Sequence, residues 1–419
     1  MEVRRSAIRR GTNSVQLRRY NERLVLQTLR RAGAASKAEL ARQAELTNTA
    51  IGGIIAQLED DGLIASAGKR HDGGRGQPAT LYRLAPKGAY GIGVRLDRRA
   101  LETVLIDFDG ALIARRAHDR LLPAPTEALD IVRLDVAELL AVLDPADRSK
   151  LAGIGLAQPY NLGAWLHQLD LPPADFAAWD TVDFAALLEE ATGLPVFGEN
   201  DGTAAAVAEL FYGLGRGLDD FLYLFIGPAI GGGVVLGGDC LRGPTGNAGD
   251  VALLPVGPGR LPSAPPAPKG RDILLTRASL NALTRHLQFR GLAGGSRAEL
   301  AAAVAAGLPA VAEWLDDCVD ALTDAIWASS ALLEVTSVII DADVDDGLID
   351  ALIARLERRL AATAPEASGP PRLLHGSFGC DAGAIGAASL PMFFSFSPRA
   401  SILTRSADER GWRDHAAAD

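Results

Sequence analysis

The sequence predicts a winged helix-turn-helix head over residues 1–84, all-α apart from its wing, and an α/β body of two lobes over residues 85–419. Three observations lead there. The head holds three short amphipathic stretches followed by two apolar runs around a glycine-rich tip. From residue 89 onward, short apolar runs that end in glycine turns alternate with helical stretches. Charge divides at the same boundary: residues 1–84 carry 15 Lys/Arg against 8 Asp/Glu, or +7, and the rest carries 27 against 44, or −17. A basic head on an acidic body is what a chain needs when only its head meets a polyanion.

The first helix is expected in VQLRRYNERLVLQTLRR (15–31), where Leu17, Tyr20, Leu24, Val25 and Leu29 share one stripe. Ser36 and Glu39 have the S-x-x-E spacing of a capping box, so a second helix should begin at Lys37 and bury Leu40, Ala41 and Ala44. Thr47 can cap a third helix, with Ile51, Ile54, Ile55 and Leu58 at i, i+3, i+4 and i+7 and Gly62 as its stop. Its outward face is small and polar: Asn48, Thr49, Gly52, Gly53 and Ala56. Each glycine inside a helix costs about 1 kcal/mol against alanine. Two adjacent ones gain nothing from packing alone, but they let a backbone sit deep in a major groove.

The segment LIASAGKRHDGGRGQPATLYRL (63–84) reads as the wing. Its tip, Arg75-Gly76-Gln77-Pro78, has the character of a minor-groove reader: an extended arginine between glycine and proline fits a narrow groove of negative potential. The expected DNA-contacting set is therefore Ser36, Lys37, Thr47, Asn48, Thr49, Gly52, Gly53 and Gln57 with Arg75 and Gly76 in the wing.

In the body, AYGIGVRLD (89–97) and LETVLIDFDG (101–110) read as strands joined by a tight turn. LAGIGLAQP (151–159) and LPVFGEN (194–200) are further strands, and FLYLFIG (221–227) pairs with GGGVVLGG (231–238). Helices are expected in 126–143 and 182–193. This order fits the two-lobed fold shared by actin and sugar kinases, whose cleft takes a ligand between lobes. The first lobe is expected at about 89–200 plus about 375–419, and the second at about 201–374.

Bulk properties exclude other classes. Hydrophobic content of 48% and charged content of 22% describe a globular chain, and no apolar run reaches the ~18 residues of a bilayer span. The basic N-terminus is not followed by the apolar core of a secretory signal. Cys240, Cys318 and Cys380 are scattered and form no CxxC pair, which signals neither a zinc knuckle nor a disulfide framework. A cytoplasmic location without membrane partners is expected.

Five stretches in order, GTN…RRYN (11–21), SKAELARQAELTNTAIGGIIAQLEDDGL (36–63), GLPVFGENDGTAAAVAE (193–209), GGGVVLGGDCLRGPTGNAGD (231–250) and FGCDAGAIGAASLP (378–391), resemble the ROK family, specifically its transcription-factor branch. The family implies sugar-responsive regulators and sugar kinases that use ATP. Four kinase features can be compared. The DxGxT phosphate loop falls on Arg95, Leu96, Asp97, Arg98 and Arg99, which lack its leading acid, glycine and threonine. The sugar-gripping Asn-Asp pair is intact as Asn200 and Asp201. The second phosphate loop, GTGIGGG, reads Gly227, Pro228, Ala229, Ile230, Gly231, Gly232 and Gly233, so proline replaces the threonine and its N–H. At the zinc-bearing GEIGH segment, Asp250 stands for the glutamate and Leu253 for the histidine, and residues 255–270 hold six prolines and no cysteine. A later sugar-contacting glutamate falls at about Leu275.

The resemblance thus implies a kinase-inactive transcriptional regulator, a repressor of carbohydrate genes, with Asn200, Asp201, Asn247 and Asp250 contacting a small carbohydrate effector. It implies double-stranded operator DNA as partner, a homodimer or higher homo-oligomer, and neither zinc nor ATP with Mg²⁺. Two alternatives stay open: a regulator that answers to a protein partner, and an active sugar kinase with a DNA-binding appendage.

Overall fold

The computed structural model describes residues 14–70, 78–167, 169, 171–266, 270–344, 346–399 and 401–404. The head is built from α1 (Ser14–Ala32), α2 (Lys37–Gln43) and α3 (Asn48–Asp60). Both expected caps form. Ser36 and Glu39 make the reciprocal box, and the Thr47 hydroxyl accepts from the Ala50 N–H. Ile51, Ile54, Ile55 and Leu58 are buried against Val25, Leu26 and Leu29 of α1. The stripe predicted for α1 begins too early: Leu17 is 48% exposed, because the first turns of α1 run past the edge of the three-helix core, and Leu26 and Arg30 are buried instead. The wing is a three-stranded sheet in the order β1 (Ala35–Ser36), β3 (Ala79–Leu84), β2 (Ile64–Arg70). Its tip, with Arg75 and Gly76, lies outside the described residues.

The head is joined firmly to the body. Ala85 N–H donates to Leu63 C=O and Phe108 N–H to Pro86 C=O, at 2.9 and 3.0 Å. A Cβ on Gly88 would lie 2.8 Å from the Gly62 carbonyl oxygen, so only glycine allows this approach. One apolar core runs from α1–α3 into the body.

The body repeats one topology. Its first sheet orders β6 (Leu112–His118), β5 (Ala100–Asp107), β4 (Tyr90–Asp97), β7 (Leu151–Gln158), β8 (Val196–Asn200). Its second orders β11 (Asp239–Cys240), β10 (Ile230–Leu236), β9 (Phe221–Ile226), β14 (Ser337–Ala342), β15 (Arg372–His375). Each is an antiparallel three-strand meander extended by two parallel strands. A two-strand ribbon, β12 (Pro255–Val256) with β13 (Asp272–Ile273), stands apart from both.

Each sheet sends a helix across to the other. The helix Asp201–Phe211 follows β8 and packs on β9 and β10, whereas the helix Ala382–Phe396 follows β15 and packs on β4, β5 and β7. The two helices also pack on each other, backbone to backbone: a Cβ on Gly386 would sit 2.6 Å from the Ala204 carbonyl. Glycines on the strands make room for them. A Cβ on Gly93 would lie 2.3 Å from the Ala388 nitrogen, and one on Gly155 1.8 Å from the Ala387 oxygen. Pro391 explains that last contact, since it has no N–H to bond the carbonyl four residues earlier.

The same reasoning accounts for the glycine run 231–233. It lies in β10, not in a loop. A Cβ on Gly233 would meet the Ala206 Cβ at 2.6 Å and the Gly202 oxygen at 2.8 Å, and Gly202 itself stands against the Gly232 oxygen. Of the three glycines the crossing helix demands Gly233; a Cβ on Gly232 would instead meet Val251, Gly249 and Tyr223 at 2.8, 2.9 and 3.0 Å, and one on Gly231 has no neighbour nearer than 3.9 Å.

Candidate functional site

On the head, Lys37, Thr47, Asn48, Thr49 and Gly53 face outward. Lys37 lies across Gly52: a Cβ there would be 2.7 Å from the lysine Nζ. The Gln57 amide donates to Asp61 at 2.9 Å, which holds it along the helix. Ser36 does not belong to this face. It is 5% exposed and its hydroxyl is committed to Glu39, so it shapes the start of α2. Glu39 in turn pairs with Arg70 of β2 at 2.7 Å, which ties the wing to α2. These bonds pull the Glu39 carboxyl down to about 2, the Ser36 backbone N–H contributing most, then Arg70 and the Ser36 hydroxyl.

In the body, the four residues singled out for a ligand come together. Asn200 ends β8 and caps the crossing helix, its Oδ1 accepting from Gly202 N–H at 2.9 Å. Its Nδ2 donates to the Asn247 Oδ1 at 3.4 Å, and the Asn247 Nδ2 donates to Asp250 at 3.0 Å. Asp201 begins the helix beside them and accepts from Gly202 N–H at 2.8 Å. All four keep part of their surface open. Burial and the facing Asp97 raise the Asp201 pKa, offset in part by Arg95 and Arg98. Amide and carboxylate groups alternating in this part-exposed cluster offer donors and acceptors of the kind that sugar hydroxyls take.

The turn between β4 and β5 faces this cluster. Arg95 pairs with Asp97 at 3.1 Å and with Glu102 at 3.6 Å, and its stem presses on Gly383 at the start of the helix Ala382–Phe396. Burial works against its charge, but Asp97 and Glu102 outweigh it and hold the pKa above its ordinary value. Arg98 is buried and donates to three carbonyls, those of Leu162, Asn161 and Ala164, at 3.1, 2.9 and 3.0 Å. Both cations are thus committed within the protein. The chain that Arg98 holds carries Trp165, a bulky residue at φ 63°, whose side chain touches the apolar cores of both lobes.

Three features escaped sequence reasoning: Trp165, the buried Arg30, and the pair of Glu199 with Arg242 at 2.5 Å, which ties the Asn247 loop to β8. Burial pushes the Glu199 carboxyl up to about 7 against the pull of Arg242 and Arg399. Nothing in local periodicity distinguishes such residues from solvated ones.

The residues present do not fit the zinc that the fold family implies. Asp250 is bonded to Asn247 and Leu253 offers no donor atom. Among the described residues, no three His, Cys, Asp or Glu side chains form a group that could hold a metal ion. Among them, too, no single helix is long and apolar enough to cross a membrane.

Fold and site together define a two-part protein, a winged helix-turn-helix on a sugar-kinase-like body that carries a polar cluster. The chain belongs to the ROK family, whose profile matches residues 92–392, and a MarR family profile matches residues 20–72. It is 30% identical over 381 residues to the uncharacterized protein y4fQ of Sinorhizobium fredii, covering 90% of this chain and 91% of that one. It is 23% identical over 240 residues to the xylose repressor of Bacillus spizizenii, a match that spans 57% of this chain and 61% of the relative. Among solved structures, a ROK family transcriptional regulator, a homolog of the E. coli MLC protein, aligns with TM-score 0.67 over 93% of this chain and 99% of its own. At 22% identity, that likeness establishes the fold.

Proposed function

We propose that the chain is a DNA-binding transcriptional repressor of carbohydrate genes, with the head at residues 1–84 and the effector-binding body at 85–419. The outward face of α3 and the wing bind operator DNA, and a twofold homodimer sets the spacing of two half-sites. The cleft takes a sugar or sugar derivative at Asn200, Asp201, Asn247 and Asp250 and does not phosphorylate it. One observation carries this reading. The polar cluster proposed for the sugar is assembled, whereas the β4 end and turn that would have to cradle phosphates are filled by Arg95 and Arg98, both already bonded within the protein. A loop for nucleotide phosphates and Mg²⁺ needs open backbone N–H groups and a free carboxylate. The regulator likeness of the solved structure and the name of the xylose repressor support the same reading.

The test is fluorescence anisotropy of the full chain on its own upstream DNA with a panel of sugars and sugar phosphates. One sugar is expected to shift the DNA affinity by about 5- to 150-fold, the usual span of allosteric coupling. Asp201→Asn should abolish that shift while DNA binding persists, and no sugar phosphate should form with ATP. If DNA binds and no sugar moves it, the cleft assignment falls and a protein partner becomes the effector.

A further inference from the structure

The two crossing helices begin at the polar cluster and the β4 end that faces it, and finish beneath α1. Asp201–Phe211 starts at Asn200 and Asp201 and finishes at Phe211 and Tyr212. Ala382–Phe396 starts against Arg95 and finishes where the Phe394 and Ser397 carbonyls accept from Arg23 of α1, at 3.2 and 3.3 Å. Helices packed backbone to backbone transmit displacement along their length because close-packed interiors do not compress.

Between these ends lies a buried cation. Arg30 of α1 is 6% exposed. Its guanidinium carbon sits 4.2 Å from the Phe211 ring centre, 5.2 Å from Phe108 and 5.7 Å from Tyr212. Its Nε and one Nη find no acceptor among the described residues. A buried charge is costly, and here stacking on aromatic faces and the field of the nearby Asp109 carboxylate offset part of that cost. The ion pair of Arg31 in α1 with Asp219, at 2.6 Å, is largely exposed and contributes at most about 1 kcal/mol.

The walls of this cage come from different lobes. Phe108 follows β5 of the first sheet, whereas Phe211 and Tyr212 end the helix that rides on the second. Gly110, at φ +88°, lets the turn after β5 lie flat on the Tyr212 ring, which a Cβ would meet at 2.5 Å. Beside the guanidinium, a recess of about 10 Å³ lined by Gln27, Arg31, Leu210, Arg216 and Pro398 among others has room for about one water molecule, so the cage is nearly filled as it stands.

We propose that Arg30 is the residue through which lobe closure around a ligand reaches the DNA-binding head: the cage is complete in one lobe arrangement and opens in the other, which releases α1. This rests on the effector reading above and adds the element that both sites bias, which coupling between two sites requires.

The experiment compares full-length wild type with Arg30→Met and, as a milder second variant, Phe211→Leu, on the same DNA and sugars. Sugar binding is read separately by calorimetry and folding by circular dichroism. Both variants should bind the sugar as wild type does, while the ratio of DNA affinities with and without sugar falls from about tenfold or more toward unity. A variant that folds and keeps the full ratio overturns the proposal. If wild type binds no sugar in calorimetry, the effector reading fails by itself. The cage is then judged in the sugar-free protein, where Arg30→Met should change DNA affinity by about fivefold or more, and an unchanged affinity overturns it.

Discussion

The two sheets of the body share a topology, and their equivalent hairpin turns have diverged in opposite ways. The turn of the first sheet, from Arg95 to Arg99, is filled with long side chains that bond inward to Asp97, Glu102 and the 161–164 carbonyls. The turn of the second, Gly227 to Ala229, is free of long side chains, and the strand after it keeps Gly233 against the crossing helix and Gly232 against Val251 and Gly249. Glycine stands at 155 and 233, where a helix backbone approaches within van der Waals reach. A glycine-rich run therefore reports packing here, although in isolation it has the form of a phosphate cradle.

The largest expected effect breaks or confirms that distinction directly. Gly155→Val and Gly233→Val each force a side chain into backbone of the opposing helix, so both should cost more than about 4 kcal/mol or prevent folding, above the usual range for overpacking. Gly231→Ala meets open space at an ordinary strand position and should be neutral or slightly stabilising, within about 0.5 kcal/mol. Urea denaturation of the three variants checks this. Equal losses at 231 and 233 would show that the run is held for something other than the helix.

The first turn gives the next contrast. Arg98→Met removes a buried guanidinium from three carbonyls and leaves them without their donors, at about 3 kcal/mol. Arg99 is exposed, and Arg99→Ala should fall within about 0.5 kcal/mol. The same denaturation experiment reads both. A small loss at Arg98 would mean that the turn is not held in place by inward bonding and that its cations are available to a ligand.

The legibility of the sequence follows the range of the interactions. Ser36, Glu39, Thr47 and the isoleucines of α3 act within one or two helical turns, so spacing alone located the head helices and their caps. Asn200, Asp201, Asn247 and Asp250 were readable because their residue types suit sugar hydroxyls and their motifs carried the family resemblance. The strands β6, β14 and β15 were not singled out, since LIARRAH is a half-polar edge and RLLH is four residues long. Arg30 was invisible for a different reason. An arginine near the end of a basic amphipathic helix reads as solvated, and its burial is imposed by Phe108 and Phe211, which no local pattern connects to it. Leu17 is the converse case, an apolar residue in the right phase at a point the core does not reach.

The smallest effect concerns the ends of the equivalent strands β8 and β15. The second sheet ends in His375, whose partner Asp350 is exposed, whereas near the end of the first Glu199 is buried under Arg242, next to Asn200. Burial raises the Glu199 carboxyl from its ordinary 4.5 to about 7. A group whose folded pKa lies above its unfolded one contributes stability below the unfolded value and loses it as pH rises through the folded value. Wild type should therefore lose on the order of 2 kcal/mol from this group between pH 5 and pH 8. Glu199→Gln carries no such titration, so its stability relative to wild type should rise over that window, and Arg242, 30% exposed, can turn to water. Urea midpoints of the two proteins at pH 5, 6, 7 and 8 measure the difference. Parallel curves would mean that Glu199 is ionised throughout and that its pairing with Arg242 outweighs its burial. The Asn247 loop would then be tied to β8 by a full ion pair, and the site-bearing end of the first sheet would be the more rigid of the two at every pH in that range.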